Sequence, residues 1–116
     1  MITRYELSEI LSAFADNLRY LFGHTLKSVI LFGSYARGDF DDESDIDVLV
    51  LVDIEKEELY KYRASISRIA EKCDWDYDSL ISPLLKSYKE YLEYQGVSGL
   101  YKTITREGVP IYAEGL

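Results

Sequence analysis

The chain has 116 residues, 47% of them apolar, and a formal net charge of −8, a length that predicts one domain over residues 1–116. The acidic balance argues against a nucleic-acid or membrane-surface partner, because Lys and Arg hold such anionic partners; it suits a basic protein partner. No apolar run approaches the roughly 20 residues needed to cross a bilayer, and the N-terminus has no signal-peptide pattern. We therefore expect a cytoplasmic protein.

Cysteine and histidine are too scarce for a disulfide framework or a zinc site. Cys73 is the only cysteine, so an internal disulfide is excluded and a buried structural thiol is expected. His24 is the only histidine and follows Gly23, where the first predicted helix ends. A surface or helix-capping role is the simplest interpretation of His24, since no second ligand accompanies it.

The N-terminal segment predicts an amphipathic helix. Thr3 and Glu6 have the spacing of a capping box. Apolar residues then recur at helical spacing up to Gly23; they are Leu7, Ile10, Leu11, Phe14, Leu18 and Leu21.

A phosphate-binding turn is predicted after the first strand. The apolar run Leu26 to Phe32 predicts a buried strand that ends at Gly33. Gly33 allows close approach of the backbone, and a helical turn starting at Ser34 presents unpaired N–H groups to a phosphate. A Gly-Ser step alone is also compatible with an ordinary turn.

Two carboxylates open the second strand. Asp45 and Asp47 are two residues apart, so in a strand they share one face. They repel each other and are costly to desolvate, a cost that Mg²⁺ removes. A solvated strand end is the alternative, but the apolar residues 48–52 that follow favour a metal site beside the phosphate-binding turn.

The short connection between these strands predicts a mixed sheet. About a dozen residues separate them, the lower limit for a parallel crossover. We therefore expect only a short helical turn in the connection. The fold class predicted is α/β (α+β), a small mixed β-sheet flanked by helices.

The second half of the chain predicts helices around a third strand. Asp53 is expected to cap a helix whose buried face runs to Cys73. Alternation over Trp75 to Ile81 predicts a strand that Ser82-Pro83 breaks. Further predicted elements are a helix opened by the capping pair Ser87 and Glu90, a helix over 99–107 and an edge strand over 109–112.

The spacing Gly-Ser-x₁₀-Asp-x-Asp formed by Gly33, Ser34, Asp45 and Asp47 resembles the signature of polymerase-β-type nucleotidyltransferases. The fuller string through Arg37-Gly38 and Ser44 to Val48 resembles the minimal nucleotidyltransferase (MNT) family, often paired with a HEPN-domain toxin. The match is specific over about residues 27–53 and weaker towards the C-terminus. It implies the polymerase-β-like nucleotidyltransferase fold as a single domain.

The resemblance implies roles for individual residues. Asp45 and Asp47 would hold one or two Mg²⁺ ions, while Gly33 and Ser34 would bind the β- and γ-phosphates of ATP. Arg37 would either stabilise phosphate charge or brace the loop by pairing with an acidic neighbour. A third carboxylate is expected on a strand beside the pair, where it would ligate the second metal ion and help to deprotonate the attacking hydroxyl. Asp78 is favoured because Leu80-Ile81 follow it, and Asp76 is the alternative. A solvated strand face is the remaining interpretation for both.

The resemblance also implies an acceptor and a partner. AMP would pass from ATP to a tyrosine of a cognate HEPN toxin, and the antitoxin would form a hetero-oligomer with it. Two alternatives remain at this point: a non-catalytic module that occludes its partner, and one chain of a two-chain transferase acting on a small molecule.

Overall fold

The first helix has the predicted bounds and caps. A computed structural model describes residues 2–114, in which α1 spans Arg4–Phe22. Glu6 N donates to Thr3 Oγ1 at 3.1 Å and Thr3 N donates to Glu6 Oε1 at 3.3 Å, which confirms the capping box. The helix ends at Gly23, whose φ of 57° belongs to the region that favours glycine.

The sheet is mixed, as the short connection predicted. Its strands are β1 (Leu26–Phe32), β2 (Ile46–Val52), β3 (Ile81–Ser87) and β4 (Val109–Ala113), in the order β3-β2-β1-β4. β1 runs antiparallel to β2 and to β4, whereas β2 and β3 are parallel. The connection from β1 to β2 holds one short helix, α2 (Ser34–Arg37).

The two faces of the sheet are covered differently. One face packs on α1 and α3 (Arg63–Tyr77) through a large buried cluster that includes Ile46, Val48 and Cys73. The opposite face packs on α4 (Tyr88–Tyr94) and α5 (Gly99–Glu107) through a smaller cluster. That cluster consists of Leu49, Leu51, Tyr91, Tyr101 and Ile104. Alternate residues of β2 therefore enter different cores.

The predicted cap at Asp53 is wrong. Asp53 lies in a bend after β2, and its N–H donates to the carbonyl of Thr25 at 2.7 Å. A 3₁₀ helix over Lys56–Tyr62 follows, with Glu55 at its N-cap and no side-chain capping bond. The backbone of Asp53 thus ties the end of β2 to the turn before β1.

The predicted strand over Trp75 to Ile81 is also wrong. α3 continues through Tyr77, and Trp75 on its outer surface is 89% exposed. Ser82 and Pro83 lie inside β3 instead of ending a strand. Pro83 is tolerated there because β3 is an edge strand, where a missing N–H need not leave a gap in the ladder.

The C-terminal predictions are confirmed. Ser87 caps α4 by accepting from Glu90 N at 3.4 Å, α5 has the predicted bounds, and β4 is an edge strand. Cys73 is buried, as expected. No helix within residues 2–114 is long and apolar enough to cross a membrane.

Candidate active site

Gly33 is the point where the two halves of the motif meet. It joins β1 to α2 with φ 77° and ψ −156°, a conformation that is essentially confined to glycine. A Cβ at this position would overlap Oδ2 of Asp47. The absence of a side chain therefore lets the Asp47 carboxylate lie directly against the backbone that leads into α2.

The start of α2 supplies polar groups beside that carboxylate. The carbonyl of Gly33 accepts from the N–H groups of Ala36 and Arg37, each at 3.1 Å. Earlier N–H groups in a helix have no intrahelical acceptor, so those of Ser34 and Tyr35 are free of helical bonding. These groups and the Ser34 hydroxyl match the predicted phosphate-binding turn in type and position.

Asp47 lies on the face of the sheet that carries α4 and α5. Asp47 is paired with Phe32 across the antiparallel ladder, and it shares its face with Leu49 and Leu51. Asp45 precedes β2 and is exposed, whereas Asp47 is half-buried. Asp47 therefore lies at the end of this face where β2 begins, two residues after the exposed Asp45.

The electrostatics of Asp47 favour a nearby cation. Burial raises the pKa of Asp47 first, and the negative charge of Asp45 raises it further, whereas the Arg37 guanidinium lowers it. A group that resists ionisation in this way gains when a positive charge approaches. The positive charge of Arg37 thus does not offset the burial of Asp47 and its repulsion by Asp45.

Arg37 adopts the bracing arrangement. Its Nε donates to Asp39 Oδ2 at 3.1 Å, and its Nη1 lies 3.5 Å from Glu107 Oε2 at the end of α5. Pairing with an acidic neighbour was one of two predicted roles. Contact with phosphate stays a prediction for Arg37.

The expected third carboxylate does not lie on a strand. Asp76 is on α3, where it pairs with Lys72 Nζ at 3.4 Å. Asp78 is the C-cap of α3, with a left-handed φ of 52°, and lines a surface cavity of about 630 Å³ with Tyr77 and Ser44. The reason for preferring Asp78 over Asp76, its depth in a strand, therefore no longer applies.

The residue beside Asp47 on the neighbouring strand is Ser82. The parallel register pairs Asp47 with Ser82, and the antiparallel register pairs Asp47 with Phe32. The three residues thus form one row across β1, β2 and β3. The sequence does not identify Ser82 as a site residue because the Ser82-Pro83 step predicts the end of a strand.

Asp74 is a second residue that sequence reasoning missed. Its Oδ1 accepts from Ile81 N and from Ser79 Oγ, both at 2.9 Å. Burial raises the pKa of Asp74, these two hydrogen bonds lower it, and the charge of Asp45 raises it. Asp74 therefore holds the first residue of β3 in place. In the sequence, Asp74 directly follows Cys73, the last residue of the predicted buried face, on a helix that the structure continues to Tyr77.

Asp45 and Asp47 fit a magnesium ion that is shared with a substrate. No group of three or more His, Cys, Asp or Glu side chains with metal-binding geometry occurs in the part of the chain that the structure describes. Mg²⁺ commonly binds through one or two carboxylates together with substrate phosphates. The crowded pair beside the start of α2 satisfies that donor set.

The chain is similar in sequence to nucleotidyltransferases. The sequence profile described as "Nucleotidyltransferase domain" matches residues 7–104. A protein of Methanocaldococcus jannaschii, provisionally named as a protein adenylyltransferase, is 42% identical over 88 residues, which cover 76% of this chain and 85% of that protein.

Two crystal structures share the fold. A provisionally named nucleotidyltransferase from Sulfolobus solfataricus has a TM-score of 0.65 at 19% identity, covering 92% of this chain and 80% of its own. A toxin–antitoxin with AMP-PNP has a TM-score of 0.58 at 19% identity, covering 90% of this chain and 74% of its own.

Proposed function

The chain belongs to the nucleotidyltransferase domain family, as a minimal nucleotidyltransferase, and from this premise we propose that it transfers AMP from ATP to a tyrosine of a cognate HEPN toxin. The transfer would neutralise the toxin and make this chain its antitoxin. The observation that carries the proposal is the contact of Asp47 with Gly33, which joins a carboxylate pair to a phosphate-binding helix start. The name of the Methanocaldococcus relative supports AMP as the transferred group.

The reaction replaces one P–O bond at the α-phosphorus with another. The acceptor oxygen bonds to the α-phosphorus of ATP, the bond from that phosphorus to the bridging oxygen breaks, and pyrophosphate leaves. The hydroxyl proton passes to water. Mg²⁺ held by Asp45 and Asp47 would neutralise charge that develops on the phosphates.

The residues of this chain bind and orient the nucleotide. The backbone N–H groups at the start of α2 and the Ser34 hydroxyl would donate to the β- and γ-phosphates, and Gly33 leaves room for them. Arg37 would exchange an acidic partner for a phosphate oxygen. These contacts hold the α-phosphorus in line for attack, which is most of what phosphoryl-transfer catalysis requires.

The partner assignment rests on fold similarity and charge. A toxin–antitoxin structure with a bound ATP analogue shares the fold of this chain, and that likeness is the reason for proposing a toxin as acceptor. The net charge of −8 suits a basic partner surface. The HEPN identity and the tyrosine acceptor follow from the family resemblance.

A second candidate function is neutralisation by occlusion, without transfer. The observation that favours it is the neutral Ser82 at the strand position beside Asp47, where an active transferase was expected to carry a carboxylate. In that case the carboxylate pair would bind a nucleotide but would not modify the partner.

Intact mass spectrometry of the partner separates the two candidates. The partner is incubated with ATP, Mg²⁺ and either the wild type or Asp45→Asn/Asp47→Asn. Asp53→Asn is the matched control, because it removes a carboxylate at the opposite end of β2. A gain of AMP mass with wild type and control, lost in the double variant and mapped to tyrosine, supports transfer; a bound, inhibited and unmodified partner supports occlusion.

A further inference from the structure

The side chains of Ser82 and Asp47 lie on the same face of the sheet. In β2 the residues Leu49 and Leu51, two and four positions after Asp47, enter the cluster under α4 and α5. In β3 the residue Leu84, two positions after Ser82, packs against that same cluster. Side chains alternate along a strand, so Ser82 and Asp47 both point to this face.

The register makes the two residues lateral neighbours. Asp47 pairs with Ser82, and the pairing continues in step to Val52 and Ser87. Neighbouring strands lie about 4.8 Å apart, a separation over which side chains on one face share a common ligand. Ser82 is exposed, so nothing in the described residues covers this position.

The face of β3 that adjoins Asp47 carries no carboxylate. The strand reads Ile-Ser-Pro-Leu-Leu-Lys-Ser, without Asp or Glu. Asp74 accepts hydrogen bonds from Ser79 and Ile81, and Asp78 is the C-cap residue of α3. The nearest further carboxylate described on this face is that of Glu107 at the end of α5, and it is paired with Arg37.

Resting on the proposed function, we propose that Ser82 takes the position of a third carboxylate and that the site consequently holds one divalent cation with its nucleotide, not two. Two divalent cations in one site repel each other strongly and are held together by carboxylates around them. A serine hydroxyl is neutral and supplies no such charge. The second cation therefore lacks the charge that would retain it.

Counting Mn²⁺ ions tests the inference without depending on transfer activity. A non-hydrolysable ATP analogue is supplied at one equivalent, Mn²⁺ is titrated, and free Mn²⁺ is measured by electron paramagnetic resonance. We expect one tightly held Mn²⁺ per wild-type complex and one for Ser82→Ala. Ser82→Asp restores the missing charge and should raise the count to two, with the spectrum of a spin-coupled pair.

A matched control adds the same charge elsewhere. Ser67 is exposed on α3, on the other side of the sheet, and Ser67→Asp should leave the count at one. Two ions in the wild-type complex, or one ion in Ser82→Asp that still binds the analogue, would overturn the inference. Circular dichroism of each variant confirms folding.

The ion counts, combined with the mass-spectrometric assay of the partner with ATP, separate this inference from the proposed function. One Mn²⁺ in the wild type and two in Ser82→Asp, with no modification of the partner, would uphold the role of Ser82 and refute transfer. A modified partner together with two ions in the wild type would uphold transfer and refute the role of Ser82.

Discussion

Replacing Gly33 with alanine probes the contact that joins the two halves of the site. A non-glycine residue in the conformation of Gly33, φ 77° and ψ −156°, costs about 1–3 kcal/mol. The added Cβ would also overlap Oδ2 of Asp47, so the carboxylate must move. We expect Gly33→Ala to lower the free energy of unfolding by about 1–3 kcal/mol in urea denaturation.

Gly33→Ala should also slow the transfer reaction. Misplacing a catalytic group by about 1 Å can cost on the order of 100-fold in rate, so we expect the rate of partner adenylylation to fall by at least about that factor. Initial rates are measured with saturating ATP and Mg²⁺ at a temperature where the variant remains folded.

Gly38→Ala is the matched control for Gly33→Ala. Gly38 is also left-handed, with φ 87° and ψ 7°, but a Cβ there meets no atom within 4 Å. It should therefore lose about 1–2 kcal/mol of stability and keep its activity. Unchanged activity in Gly33→Ala, or an equal loss in Gly38→Ala, would refute the role assigned to the contact with Asp47.

Three further predictions concern neighbouring side chains. Asp74→Ala should lower the free energy of unfolding by about 1–3 kcal/mol because two donors lose their acceptor, whereas Asp74→Asn retains an acceptor and should lose less; equal losses in urea denaturation would contradict this. Arg37→Gln should raise the KM for ATP and Glu107→Gln should not, with stability changes within about 1 kcal/mol because the pair is partly exposed; parallel KM values would refute a phosphate role for Arg37. Asp47→Asn should be more stable than wild type at pH 7, because a raised folded-state pKa means that ionisation of Asp47 opposes folding. That advantage should shrink as the pH falls towards the unfolded-state pKa of about 3.9; thermal melts without metal from pH 3 to 8 check the trend.

Much of the site follows from chain-local information. Gly33 directly follows β1 and Asp47 lies in β2; these consecutive strands are joined by one short helix, and consecutive antiparallel strands pair with each other. Once the apolar runs are recognised as β1 and β2, their ends and the residues at those ends are necessarily close. The motif that predicted a phosphate-binding turn beside two carboxylates is therefore interpretable from the sequence alone, and the mixed sheet follows from the length of the connection.

The end of α3 was not predictable in this way. The alternation of aspartates with Trp75 and Tyr77 fits a strand as well as a helical surface, since polar residues are common on both. The decision belongs to tertiary packing. Ile66, Ala70 and Cys73 bury one side of α3 in the cluster shared with α1, and the helix continues on that support to the left-handed cap at Asp78.

Thus the sequence by itself determined the family, the glycine-serine turn and the pair Asp45 and Asp47, because all of these lie within one short stretch whose geometry is set locally. Only the tertiary structure decided what stands beside Asp47 on β3. The register of two parallel strands depends on the helix that connects them and on the core beneath both. That register brings Ser82, and not an aspartate, to the edge of the carboxylate pair.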